Sequence, residues 1–228
     1  MLVLCPWTQD TWGLYMKNQD ILLLLKLLCL ELGQRGSHSE EKSKVTEVSW
    51  TDWKNPAPDS RLATPADNQS AGQYSVRSLA AVTGISKSEV SSALQRCFQV
   101  GLAIRDKKTD HPKVNKKALL EFLIYGLRYI FPAKIGRLSR GISTTFSAPV
   151  LKKKLLSAGD SIYVWPDAEG NSKGQSIQPI SQSVPFAVRQ DPLLYELLSL
   201  LDAVRVGSAR ERHFAIEQLK HYFEDQHE

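Results

Sequence analysis

Cysteine is scarce in this chain. Only three occur, Cys5, Cys29 and Cys97, and no two form a Cys-x-x-Cys pair. That spacing excludes an ordinary structural zinc site and a disulfide framework. Cys29 and Cys97 stand in apolar surroundings, as expected of buried, reduced thiols in a cytoplasmic protein. Long apolar runs are lacking too. The longest, "ILLLLKLLCL" at 21–30, is broken by Lys26 and followed by Glu31. A membrane-spanning helix needs about 20 apolar residues, so this run reads as a buried helix. The opening "MLVLCPWTQDTWGLY" has no basic stretch ahead of its short apolar one, so it does not read as a signal peptide. Residues 1–15 are expected to be a poorly ordered tail, or the product of a start codon upstream of Met16. Walker loops, nucleophile elbows and His-Glu-x-x-His motifs are all missing. An enzyme is therefore not expected, and no cofactor is implied.

What is present is ordinary in amount and uneven in placement. The hydrophobic share is 42% and the charged share 23%, the balance of a soluble globular protein. The net charge of +5 favours an anionic partner. A first helix is expected at 18–32, with Gly33 as its stop. A polar insertion, 34–73, follows; it is roughly forty residues long and should pack in part. Within it, "VTEVSWTDWKN" reads as a short strand or docked segment anchored by Trp50 and Trp53.

Structure should resume at "YSVRSLAAVTGISKSEVSSALQRC". Ser75 is a good N-cap, and Val76, Leu79, Ala80 and Val82 are spaced for one buried helical face. Thr83-Gly84-Ile85 makes a three-residue break, with Gly84 free to take positive φ. Ser86 opens the next helix, and Glu89 completes a capping-box pattern. Val90, Ala93, Leu94 and Cys97 form the inner face of that helix. Lys87, Ser88, Ser91, Ser92, Gln95 and Arg96 are left outside. Such a face is small and polar. Hydroxyls bond phosphates or either kind of base edge, Gln suits adenine, and Lys or Arg suits guanine or phosphate. The plainer reading is an αα-hairpin in a helical core.

The next segment, "LAIRDKKTDHPKVNKK", fits a short hairpin with a charged tip. It carries Arg105, Lys107, Lys108, Lys113, Lys116 and Lys117 against Asp106 and Asp110. The run "YSVRSLAAVTGISKSEVSSALQRCFQVGLAIRD", with "SEVSSALQR" followed by "GL" and a basic hairpin, resembles the winged helix-turn-helix domain of bacterial transcriptional regulators, in particular the MarR-like group. The resemblance covers about half the chain. The long insertion and the part after Pro132 depart from that group's usual pattern. The resemblance implies binding to double-stranded DNA as a homodimer, with helix 86–97 in the major groove. By position, Lys87, Ser88, Ser91, Ser92 and Gln95 would contact bases or phosphates. The basic wing, with Arg105, Lys107, Lys108 and Lys113, would lie on the phosphate backbone.

Beyond the hairpin, "ALLEFLIYGLRYIF" at 118–131 reads as an apolar helix ended by Pro132. From there to Ala158 the chain is basic, with Lys134, Arg137, Arg140, Lys152, Lys153 and Lys154 and no acid. "SIYVWPDAEGNSKGQSIQPI" looks like a hairpin with a Gly-containing turn, Tyr163 and Trp165 supplying core. Asp191-Pro192 starts a helix with a leucine face, Leu193, Leu194, Leu197, Leu198 and Leu201. Ser208 and Glu211 cap the last one. This pair of helices is expected to mediate self-association, because a small domain would struggle to bury both faces. His213, Glu217 and His221 share one face of the last helix. Two His and a carboxylate can bind a transition metal, but ligands stacked over two turns diverge, so a solvated face is expected.

The expected fold is mainly α with small β hairpins: a winged helix-turn-helix domain at 16–117 and a C-terminal α+β region at 118–228 for oligomerisation or partner binding. The function expected is sequence-specific transcriptional regulation in the cytoplasm. The alternative from another class is a winged-helix adaptor, antitoxin-like, that recognises another protein.

Overall fold

A computed structural model describes residues 16–36, 50–54, 70–151 and 162–224. The expected tail at 1–15, Cys5 and the Lys152–Lys154 run lie outside the described residues. The described chain is mainly helical with two small sheets, a mixed α+β arrangement. None of its helices is long and apolar enough to cross a membrane.

Helix α1 (Asn18–Gly36) lies at the centre. Ile21, Leu22, Leu23, Leu24, Leu25, Leu27 and Leu28 are all fully buried. A helix apolar on every side has no solvent face, so other elements must surround it. Helices α3 (Val76–Thr83) and α4 (Lys87–Gln99) pack on one part, and α8 (Pro192–Val206) on another. Each fully buried leucine contributes roughly 1.5–3 kcal/mol. Lys26 is buried among them, its Nζ donating at 2.7 Å to Asp191 Oδ2. Gly33 does not stop α1, which runs on to Gly36. The expected insertion is shortened at both ends, because α2 (Ser70–Gln73) is already helical.

Local chemistry sets the break between α3 and α4. Ser75 Oγ accepts from Ser78 N at 3.1 Å and caps α3. Gly84 closes it at φ 70°, returning its N–H to Ala80 O at 3.0 Å. Ser86 Oγ accepts from Glu89 N and starts α4. After α4, strands β1 (Ala103–Arg105) and β2 (Pro112–Val114) pair antiparallel as a hairpin. Asn115 then caps α5 (Lys116–Glu121), accepting from Ala118 N at 3.3 Å while donating to Gly101 O at 2.9 Å. The expected helix at 118–131 is thus real but not uniform: α5 passes through a π-helical turn, Phe122–Gly126, into α6 (Leu127–Ile130).

The second sheet corrects the expected hairpin. Strand β3 (Ile135–Thr144) pairs antiparallel with both β4 (Tyr163–Pro166) and β5 (Ser172–Ile177). Gly141 faces Pro166 on one side and Ser172 on the other. Strands β4 and β5 consequently run parallel, and the three close into a small barrel. A ten-residue strand is long enough to serve each partner with a different half. Glycine permits the closure: a Cβ on Gly141 would lie 1.9 Å from Trp165 O. Trp50 and Trp53 do anchor their segment, meeting edge to face at 5.3 Å with Trp53 buried. Asp52 Oδ2 accepts from Ser143 N at 2.7 Å and ties that segment to the barrel.

Helix α8 corrects a further expectation. Its cap is as read, with Asp191 accepting from Leu193 N and Leu194 N ahead of Pro192. Its leucine face, however, is not offered to a second molecule. Everything from Leu197 to Arg205 is buried, packed between α1, α7 (Val184–Val188), α9 (Ala209–Phe223) and β3. Asp202 accepts from Trp165 Nε1 and Arg205 Nη1, both at 2.6 Å, and joins α8 to the barrel. The apolar core is one cluster spanning the boundary expected at 117/118. The Ser208–Glu211 capping box of α9 forms as read.

Candidate nucleic-acid interface

The inner face of α4 is settled by burial. Val90, Ala93, Leu94 and Cys97 all face the core. On the opposite side Lys87, Ser88, Ser91 and Gln95 are exposed and Ser92 is half-buried. The five expected contact residues of this helix therefore share one accessible side.

Arg96 does not belong with them. It is buried, with Nε donating to Asp20 Oδ2 at 2.8 Å and Nη2 to Asp20 Oδ1 at 2.6 Å. The Asp20 hydrogen bonds raise the guanidinium pKa further above its ordinary value. Sequence periodicity puts Arg96 on the outer face; its partner Asp20 on α1 draws it inward instead. The expected capping box at Ser86 is also only half made. The Glu89 N–H donates to Ser86 Oγ, but the Glu89 carboxylate does not accept from the Ser86 N–H; it instead meets Gln19 and lies 3.5 Å from Lys17 Nζ and 3.9 Å from Arg96 Nη2. The only acid of α4 is thereby held by cations and an amide at the α1 side.

The hairpin stands beside this face. The Arg105 guanidinium lies 5.1 Å from the Phe98 ring centroid, a cation–π contact joining hairpin to α4. It also reaches Asp110 Oδ2 at 3.4 Å, in an exposed pair that contributes little. Lys107 and Lys108 are exposed at the tip, and Lys113 is half-buried on β2. The tip has its own order. Asp106 Oδ1 accepts from Lys108 N at 2.7 Å and Thr109 N at 3.2 Å, bonds that hold its carboxyl below the usual range.

Between α4 and the hairpin runs a groove of about 340 Å³. Ser91, Gln95, Phe98, Arg105, His111 and Tyr74 line it. The Tyr74 and His111 rings stack at 5.1 Å with 8° between planes. Sequence reasoning missed Tyr74, Phe98 and His111. Phe98 was within reach, since it follows Ser91 and Gln95 along one side of the helix; the other two depend on the hairpin folding back. Also missed was Arg77, exposed on the first turn of α3.

Other chemistry is sparse. Cys29 and Cys97 are buried, and burial raises both thiol pKa values, that of Cys97 to about 12. Among the described residues no three His, Cys, Asp or Glu side chains gather as metal ligands. His213 Nε2 and Glu217 Oε1 form an exposed pair at 3.2 Å, as the solvated-face reading expects. Neither a protein-family model, nor a curated protein, nor a solved structure matches the chain.

Proposed function

We propose that this chain is a sequence-specific, DNA-binding transcriptional regulator of the winged helix-turn-helix kind, acting in the cytoplasm as a homodimer. Helix α4 enters the major groove, and the β1–β2 hairpin lies as a wing on phosphate. One observation carries the reading: the exposed side of α4 bears Lys87, Ser88, Ser91 and Gln95, none of them bulky and branched, directly beside a hairpin with exposed Arg105, Lys107 and Lys108. A major groove about 12 Å wide admits a helix only where the outer side chains are slim or can bond base edges. The neighbouring cations release counterions from the backbone. Arg77, at the start of α3, stands where the first helix of such a motif crosses the backbone. The dimer belongs to the proposal because readers of this kind pair half-sites about one helical turn apart. The interface is not the α8 leucine face, which the chain buries itself.

The test is selection from a random duplex library, followed by anisotropy on the winning and scrambled sequences. Enrichment of a common motif supports the reading. Binding of all duplexes alike removes the claim of sequence specificity. No binding to DNA, with loss of a protein partner on mutating α4, selects the adaptor reading.

A further inference from the structure

Among the described residues, the face of the barrel formed by β3 and β5 presents cations without ion-pair partners. A shallow, open groove of about 420 Å³ crosses it, lined by Arg137, Leu138, Ile162, Lys173 and Gln175 with Gly174 in its floor. Arg137 and Lys173 are exposed, and among the described residues neither has an ion-pair partner. Neither β3 nor β5 contains an acid. The acids on the turn between β4 and β5 are already engaged, Asp167 with Arg189 at 2.6 Å and Glu169 with the same guanidinium at 3.0 Å.

The strand register sets two cations against each other. Arg140 on β3 sits directly opposite Lys173 on β5. Like charges in register across an antiparallel pair destabilise a sheet. Arg140 donates from Nε to Gly170 O at 2.6 Å, which fixes it in place and neutralises nothing. Gly174 is buried and packs against Ile162, where a Cβ would meet the carbonyl oxygen at 2.3 Å, so the two strands are drawn close beneath the cations. A negatively charged chain laid along the groove would relieve the repulsion.

We propose that the β3–β5 groove is a second nucleic-acid contact, binding the phosphodiester backbone through Arg137 and Lys173 irrespective of sequence. The occupant is a polyanion because the cations are spread along two strands and the groove is open rather than enclosed. A second copy of the chain is disfavoured, since apposing this face to itself would bring Arg137, Arg140 and Lys173 against their own kind. The contact is separate from α4 and does not depend on how α4 is used.

The experiment is a salt titration of a random-sequence duplex, read by anisotropy, with the full chain, R137Q/K173Q, the charge-keeping R137K/K173R and the hairpin variant K107A/K108A. Each phosphate left without its cation flattens the plot of log affinity against log salt by about 0.9, so R137Q/K173Q should flatten it by about 1.8 and R137K/K173R should behave as the parent. A Gln variant with the parent's slope and affinity overturns the proposal. So does one that keeps duplex binding and loses binding to polyglutamate, which would assign the groove to an acidic protein. A flatter slope in R137Q/K173Q with no change in K107A/K108A upholds the groove and counts against the hairpin's role; the reverse result does the opposite. Melting curves of all variants exclude unfolding as the cause.

Discussion

Arg96 of α4 and Asp20 of α1, 76 residues apart in sequence, form a two-pronged ion pair with both side chains out of solvent. Through it the helix proposed to read DNA is fixed to α1, whose leucines from Leu22 to Leu28 are fully buried. Breaking a buried pair by removing one partner costs about 3–5 kcal/mol, because the remaining charge stays buried and unpaired. Asp20→Ala should lose stability of that order in urea unfolding. Asp20→Leu with Arg96→Met should lie closer to the parent, since apolar replacement removes both desolvation costs. If the single variant is no less stable than the double, the pair is not what positions α4.

Gly84 is required at its position for two separable reasons. Its φ of 70° is left-handed, and a Cβ there would meet Phe186 Cδ1 at 2.9 Å. Left-handed backbone costs a residue with a Cβ about 1–2 kcal/mol. Gly84→Ala should lose at least this. Adding Phe186→Ala removes the collision and leaves the backbone strain. A double-mutant cycle by thermal unfolding should therefore show favourable coupling between the two changes. Strict additivity would mean that Phe186 moves aside freely.

Much of this geometry was legible because it is local. Ser75, Ser86, Asp191 and Ser208 each cap a helix by bonding a backbone N–H two or three residues on, and Gly84 and Pro192 act on their own φ. The inner face of α4 follows from a spacing of three and four. What failed depends on distant partners. Gly33 is a weak stop when α1 is held on all sides. Arg96 looks like a surface cation until Asp20 is placed beside it. Strands β4 and β5 look like a hairpin because sequence shows their nearness to each other and not their shared partner, β3. The α8 leucines look like an interface because periodicity cannot say whose apolar surface covers them. The same limit hid Tyr74 and His111, which meet only when the hairpin closes.

Burial of the thiols gives a pH dependence of definite sign. The Cys97 thiol rises from its ordinary 9.0 to about 12. Between those values the unfolded chain gives up the proton and the folded chain keeps it. Stability is therefore intact below about pH 9 and falls as pH rises, by up to about 1.4 kcal/mol per pH unit for one thiol. Cys29 shifts in the same direction. Urea unfolding from pH 8 upward should show a steeper decline for the parent than for Cys97→Ala, whatever the offset between them at pH 8. Parallel curves would show that Cys97 ionises in the folded chain.

Helix α4 and the hairpin should contribute to DNA binding in different ways. Ser91 and Gln95 lie four residues apart on the exposed side of α4, so both can point into one groove. Gln95→Ala would remove the proposed base-edge contact without adding bulk. A good bidentate base contact is worth about 1–3 kcal/mol of discrimination. The variant should lose preference for its selected sequence while its affinity for scrambled duplex stays near the parent's. Lys107 and Lys108 stand at the hairpin tip, where the Asp106 turn holds the backbone in one shape. Replacing both by Ala should weaken binding to selected and scrambled duplexes alike and flatten the salt dependence by about 0.9 for each phosphate no longer neutralised. Anisotropy titrations of both duplexes over a range of salt distinguish the outcomes. A Gln95→Ala protein that loses affinity for every sequence equally would make α4 a backbone contact and leave specificity to another element.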